Sequence, residues 1–169
     1  MILRDIVLQR LQGKLWHTTH PDRFNAILAK GAILPEPEIP DSERWGTAAG
    51  QEHYPYVRFI GGVSLFDFND FEPSEYAERC PASSWAYFVP CHLSWECAVW
   101  IEIDRTKVVA PQFISGTELV SKWKTEEAYG HNIMPEIEAA YLGSISTAAF
   151  KQAFSVCKGD NTIRQLSIL

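Results

Sequence analysis

The chain has 169 residues, the length of one domain on a usual scale of roughly 100–200 residues. With 46% hydrophobic and 21% charged residues it is not a disordered chain, and no apolar run nears the roughly 18–20 residues of a membrane-crossing helix. A net charge of −6 excludes a generally basic, nucleic-acid-coating surface but leaves room for a local basic groove.

Residues 1–169 are expected to form a single domain, without internal repeats or long linkers. The opening MILRDIVLQRLQGK carries Arg4, Asp5 and Arg10, which interrupt any signal-peptide core and point to the cytoplasm. In that compartment Cys80, Cys91, Cys97 and Cys157 are expected as free thiols. Leu3, Ile6, Val7 and Leu11 recur at helical spacing, and Gly13 ends that helix. Leu15 to Thr18 reads as a strand. Pro21 suits a first helical position, with Asp22 in the first turn. Phe24, Ile27 and Leu28 share a face, and Gly31 stops the helix.

Residues 35–56 form the longest irregular stretch, of a kind that often carries function. Val57 to Phe68 reads as a strand interrupted at Gly61-Gly62, and residues 69–84 as a loop with a helical turn. Trp85 to Val89 and Cys97 to Ile103 are rich in β-branched and aromatic residues and read as strands. Thr117 is placed to cap a helix bearing Leu119, Val120 and Trp123. Ile137 to Leu142 reads as a strand. Ser146 is placed to cap a last helix with Phe150, Ala153, Phe154 and Cys157 on one face. Without regular βαβ alternation, the expected class is α+β around a split, mixed β-sheet with flanking helices.

Three positions carry chemistry. Glu138 shares a strand face with Ala140 and Leu142, where a carboxylate is either solvated on an edge strand or buried for a purpose. His17 precedes the Pro21 helix, as a structural histidine or as a donor aimed into a cleft. Ser64 follows paired glycines, which let a ligand or another backbone approach. No P-loop, GxGxxG or HExxH occurs, and no GxSxG supports a Ser64-His17-Glu138 triad. Cys80, Cys91, His92 and Cys97 lack a CxxC pair, so no metal site is expected.

These segments together resemble the ADP-ribosyltransferase family. His17-Thr18-Thr19 before Phe24-Asn25-Ala26-Ile27-Leu28-Ala29-Lys30-Gly31 is similar to the His-x-Thr opening of the diphtheria-toxin and poly-ADP-ribose polymerase branch. Gly61-Gly62-Val63-Ser64-Leu65-Phe66 resembles the middle strand of the nicotinamide pocket. Pro135-Glu136-Ile137-Glu138-Ala139-Ala140-Tyr141 resembles the late strand bearing the family's glutamate. Val99 to Asp104 looks like a core strand of bacterial members, including DNA-targeting toxins.

The resemblance implies NAD as co-substrate and Glu138 as the catalytic carboxylate. It implies that His17 holds the ribose of the adenosine half, that backbone at Thr18 grips the nicotinamide amide, and that Ser64 supports Glu138. Ser64, Phe66 and Phe68 stand where the polymerase branch has a stacking Tyr. Glu136-x-Glu138 is similar to the Glu-x-Glu of arginine-modifying relatives, whose first Glu engages the target. Arg58 and Tyr54, with Trp45, His53, Tyr56 and Arg44, either stack a base or grip a phosphate beside the cleft or belong to an ordered surface loop packed by its own aromatics.

The implied activity is NAD-dependent mono-ADP-ribosyl transfer by an intracellular toxin, a glycosyltransferase restrained by an antitoxin. Nucleic acid is preferred as acceptor over protein. The alternatives are an NAD glycohydrolase, the tRNA 2′-phosphotransferase branch, and an inactive module that binds a partner through the 35–56 loop.

Overall fold

The computed structural model describes all 169 residues. Helix α1 (Leu3–Leu11) buries Val7, Leu8 and Leu11. Gly13, at φ +77°, then makes a one-residue bulge. Its N–H donates to the Phe68 carbonyl, and the Phe68 N–H donates back to Lys14. The bulge turns the chain into β1 (Leu15–Thr19). Helix α2 (Pro21–Lys30) starts on proline, is capped by the His20 side chain and ends at Gly31, φ +75°, as expected.

Strand β2 (Ala32–Ile33) precedes the long irregular segment. The strand expected from Val57 begins later. Tyr56–Phe59 is a short helix, α3, and β3 runs Val63–Asp67. Gly61, at φ +79°, stops that helical turn rather than interrupting a strand. Pro73–Arg79 forms α4, capped by Glu72. Trp85–Tyr87 is a 3-10 turn and not a strand. Trp85 packs against Phe71 while Tyr87 turns to Trp45 and His92, so the two rings serve different neighbours, and Pro90 brings no N–H to a ladder.

Strand β4 (Cys97–Ile103) matches its expectation, and β5 (Phe113–Ile114) is a short edge. Helix α5 (Gly116–Thr125) is capped by Ser115, not Thr117, because Ser115 and Glu118 form a capping box. Strand β6 (Glu138–Tyr141) is followed by β7 (Ile145–Ser146). Ser146 does cap, but only the 3-10 turn Thr147–Ala149. The expected last helix is instead strand β8 (Phe150–Cys157), which returns as β9 (Thr162–Leu166). Ala153, Phe154 and Val156 are buried on both faces of β8, which produces helix-like apolar spacing in a strand.

The chain is therefore α+β. The main sheet has the order β5-β6-β3-β1-β4-β8-β9, every ladder antiparallel, and β2 pairs β7 separately. Period-two alternation sends Trp16, Phe66, Trp100 and Phe154 to one face, against α1. Leu15, Leu65, Val99 and Ile101 face the other way, against Phe24 of α2. Cys97 and Cys157 lie opposite each other on β4 and β8 and form a disulfide, so the free-thiol expectation holds only for Cys80 and Cys91. Strand register, which residue spacing does not reveal, sets that pairing. No helix is long and apolar enough to cross a membrane.

A tight approach fixes the entry to β6. A Cβ added to Gly116 would sit 2.0 Å from the Glu136 carbonyl oxygen. Gly116→Ala is expected to destabilise the fold by about 1–3 kcal/mol, read as a lower urea midpoint.

Candidate active site

The sheet splits beside Trp16. Strand β1 pairs with β3 only through Leu15 and Trp16, yet it continues along β4 to Thr19. Because Lys14 turns its carbonyl to β3, alternation aims the backbone of Trp16 and Thr18 at β3 as well. Opposite Thr18, the Ser64 carbonyl is already taken by the His17 ring, Nδ1 to O at 2.9 Å. The Thr18 backbone is thus left facing the gap, while its hydroxyl donates to Val99 O at 3.3 Å.

A carbonyl only accepts, so His17 Nδ1 carries the proton. Burial pushes the His17 pKa down, which outweighs the Ser64 contact and keeps the ring neutral. Nε2 is then an acceptor in the cleft, not the donor anticipated from the sequence.

Glu138 opens β6 directly across from Phe66. The residue is 7% exposed, which excludes the solvated edge position. Ser64 Oγ donates to Oε2 at 2.6 Å, and the Met134 N–H donates to Oε1 at 3.1 Å. No cation pairs with it. Glu102, the other buried carboxylate, has Gln152 at 2.6 Å and ammonium groups of Lys151 and Lys14 at 3.6 and 3.9 Å. Burial raises the Glu138 pKa to about 6, against the lowering effect of the Ser64 and Met134 hydrogen bonds.

The split opens into a cleft of about 790 Å³ lined by His17, Thr18, Ser64, Phe66, Arg58 and Glu138. That lies within the roughly 300–1,000 Å³ usual for ligand sites. Phe66 and Phe88 on its wall stand 5.0 Å apart between ring centroids.

Arg23, Arg44 and Arg58 also line the cleft. Each pairs with a carboxylate of the long segment: Arg23 with Glu43 at 2.5 Å, Arg44 with Glu36 at 2.8 Å, and Arg58 with Glu36 at 3.0 Å and Asp41 at 2.9 Å. The Arg58 hydrogen bonds hold the Glu36 pKa below its ordinary value. Tyr54 lies under the Arg58 guanidinium at 3.7 Å and donates to Asp41, outside the lining. Tyr56 is fully buried and donates to Glu126 at 2.6 Å, so it is a core residue and not a stacking platform. His53 is exposed and bonds the Gly130 carbonyl at 3.3 Å.

Glu136 stands apart. It is left-handed, φ +68°, and its side chain turns to Arg79 Nε at 3.0 Å, away from the cleft lining. The structure thus gathers His17, Thr18, Ser64, Phe66, Arg58 and Glu138 around one cleft and leaves Tyr54 and Glu136 beside it. The backbone donor at Met134 and the walls formed by Phe88 and Trp95 were not anticipated. A backbone N–H leaves no trace in residue identity, and the aromatic walls meet the cleft only through the fold.

No protein-family model and no curated protein matches this chain. Among solved structures it is similar to a double mutant of heat-labile enterotoxin, at 14% identity and TM-score 0.42, covering 92% of this chain and 62% of that one. It is also similar to an E. coli heat-labile enterotoxin mutated at a buried residue, at 12% identity and TM-score 0.43, covering 92% and 76%. The chain thus spans less than two thirds of the first of these neighbours.

Proposed function

We propose that the protein is a NAD-dependent ADP-ribosyltransferase with a nucleic-acid acceptor. The observation that carries this reading is Glu138, a buried carboxylate without a cation, aimed into a dinucleotide-sized cleft and oriented by Ser64 and Met134. Breaking the nicotinamide–ribose bond leaves positive charge on the ribose, and a preorganised carboxylate in a dry site stabilises it strongly. Ionised Glu138 can do this and can also accept from the ribose 2′-hydroxyl.

The other roles follow from position. The outward-facing Thr18 backbone offers one donor and one acceptor, the pair that a carboxamide such as nicotinamide's needs. Phe66, with Phe88, offers an apolar wall for the pyridine ring. His17 Nε2 accepts from a ribose hydroxyl. Arg23, Arg44 and Arg58 bring guanidiniums that fit a pyrophosphate bidentately, which would displace Glu36, Asp41 and Glu43. In this reading Glu136 and Tyr54 serve the acceptor from outside the cleft.

A toxin role and a restraining antitoxin belong to the same proposal, carried over from the resemblance in sequence. The cytoplasmic expectation is opposed by the Cys97–Cys157 bond, since disulfides persist mainly in oxidising compartments.

The test is nicotinamide release from NAD, with DNA, RNA or protein as acceptor. Ser64→Ala provides an internal check. Removing the hydroxyl takes away a contact that lowers the Glu138 pKa, so the acid limb of the pH profile is expected to move above its wild-type midpoint near 6. An unchanged midpoint would separate Ser64 from the chemistry.

A further inference from the structure

Glu138 borders a second cavity, of about 320 Å³. Its walls include Trp45 from the long segment, Ser84, Tyr87 and Phe88 around the 3-10 turn, and Asn132 from the approach to β6. It shares Trp45, Phe88 and Glu138 with the larger cleft, so the carboxylate stands where the two cavities meet.

We propose that this second cavity is the acceptor subsite and that it receives a nucleobase, a proposal that rests on the larger cleft being the NAD site. The walls select that class. Apart from Glu138, no charged side chain lines the cavity, so it offers no cation to a phosphate and no dedicated carboxylate to a guanidinium or ammonium group. What it offers is aromatic rings for stacking and neutral polar groups for a base edge, the combination that reads unstacked bases.

Ser83 is already engaged with the Tyr76 hydroxyl at 3.0 Å. Ser84 and Asn132 are exposed, and their side chains make no hydrogen bond to the rest of the chain. The aromatic platform is rigidly backed. His92 is buried behind it, with its ring centroid 5.0–5.2 Å from those of Trp45, Phe88 and Tyr87. Ser94 holds His92 Nδ1 at 2.6 Å, and burial drops the ring's pKa to about 4, so it is neutral.

Transfer then runs from one cavity to the other. A nitrogen of the base forms a bond to C1′ of the nicotinamide ribose. The C1′–nicotinamide bond breaks, and its electron pair leaves with nicotinamide, which becomes neutral. The proton displaced from the base nitrogen passes to water.

Label transfer from NAD to short single-stranded DNA and RNA, with KM read for each substrate, tests the assignment. Tyr87 is 42% exposed, so its replacement threatens the fold little. Tyr87→Ala is expected to raise the oligonucleotide KM about tenfold, and Tyr87→Phe to restore it. Asn132→Ala is expected to raise it about three- to tenfold. The KM for NAD stays near wild type in each. Label on protein alone, label on no acceptor, or an oligonucleotide KM unmoved by both alanine variants, with nicotinamide still released, overturns the subsite and leaves the NAD cleft standing. No nicotinamide release under any condition overturns both.

Discussion

Glu138→Gln is expected to lower NAD turnover about 10²–10³-fold, the usual cost of removing one preorganised electrostatic partner of a transition state, and to raise stability at the same time. The amide keeps an oxygen for the Met134 N–H, and Ser64 Oγ can accept where it donated, so the local fold survives. Only the negative charge goes. The stability effect has a definite sign. The folded-state pKa of about 6 lies above the ordinary 4.5 because burial penalises the charged form. The native state therefore binds this proton more tightly than the unfolded chain. Stability from this group is full below about pH 4.5 and declines as pH rises to about 6, beyond which the cost is constant. That cost is about 2 kcal/mol. Unfolding midpoints in urea should place the variant above wild type by about this amount at pH 8 and level with it at pH 4. A variant less stable than wild type at pH 8 would mean that the carboxylate is structural.

Losing the Cys97–Cys157 bond is expected to cost about 4 kcal/mol, because it closes a loop of sequence separation 60. A double Cys97→Ser, Cys157→Ser variant and reductant-treated wild type should both unfold at lower urea, by matching amounts. The bond ties the end of the β4–β8 ladder, and at that same end of β4, Val99 and Trp100 pair with Thr19 and Thr18. Weaker NAD binding should accompany the loss of stability. Equal midpoints with and without reductant would show that the thiols are not joined in solution.

Some of this architecture is legible in the residues. Helix α2 is, because Pro21 and Gly31 act on their own turns whatever surrounds them. So is the oddity of Glu138 and Ser64, polar residues within apolar strand patterns, although their meeting at 2.6 Å depends on the β3–β6 register. Strand β8 misleads because a strand buried on both faces loses its alternation, and the remaining spacing mimics a helix. Val57 misleads because β-branched and aromatic residues in α3 pack on Leu119 and Ala140 through tertiary contacts that outweigh local propensity. The disulfide and the second cavity are non-local, each made by segments far apart in the chain.

The most direct test of the central claim is the pH profile of nicotinamide release from NAD by the purified protein. With Glu138 ionised as the working form, the rate should fall about tenfold per pH unit on the acid side of a midpoint near 6. A rate that shows no such midpoint, or no release of nicotinamide at any pH, would contradict the assignment of Glu138 as the catalytic carboxylate.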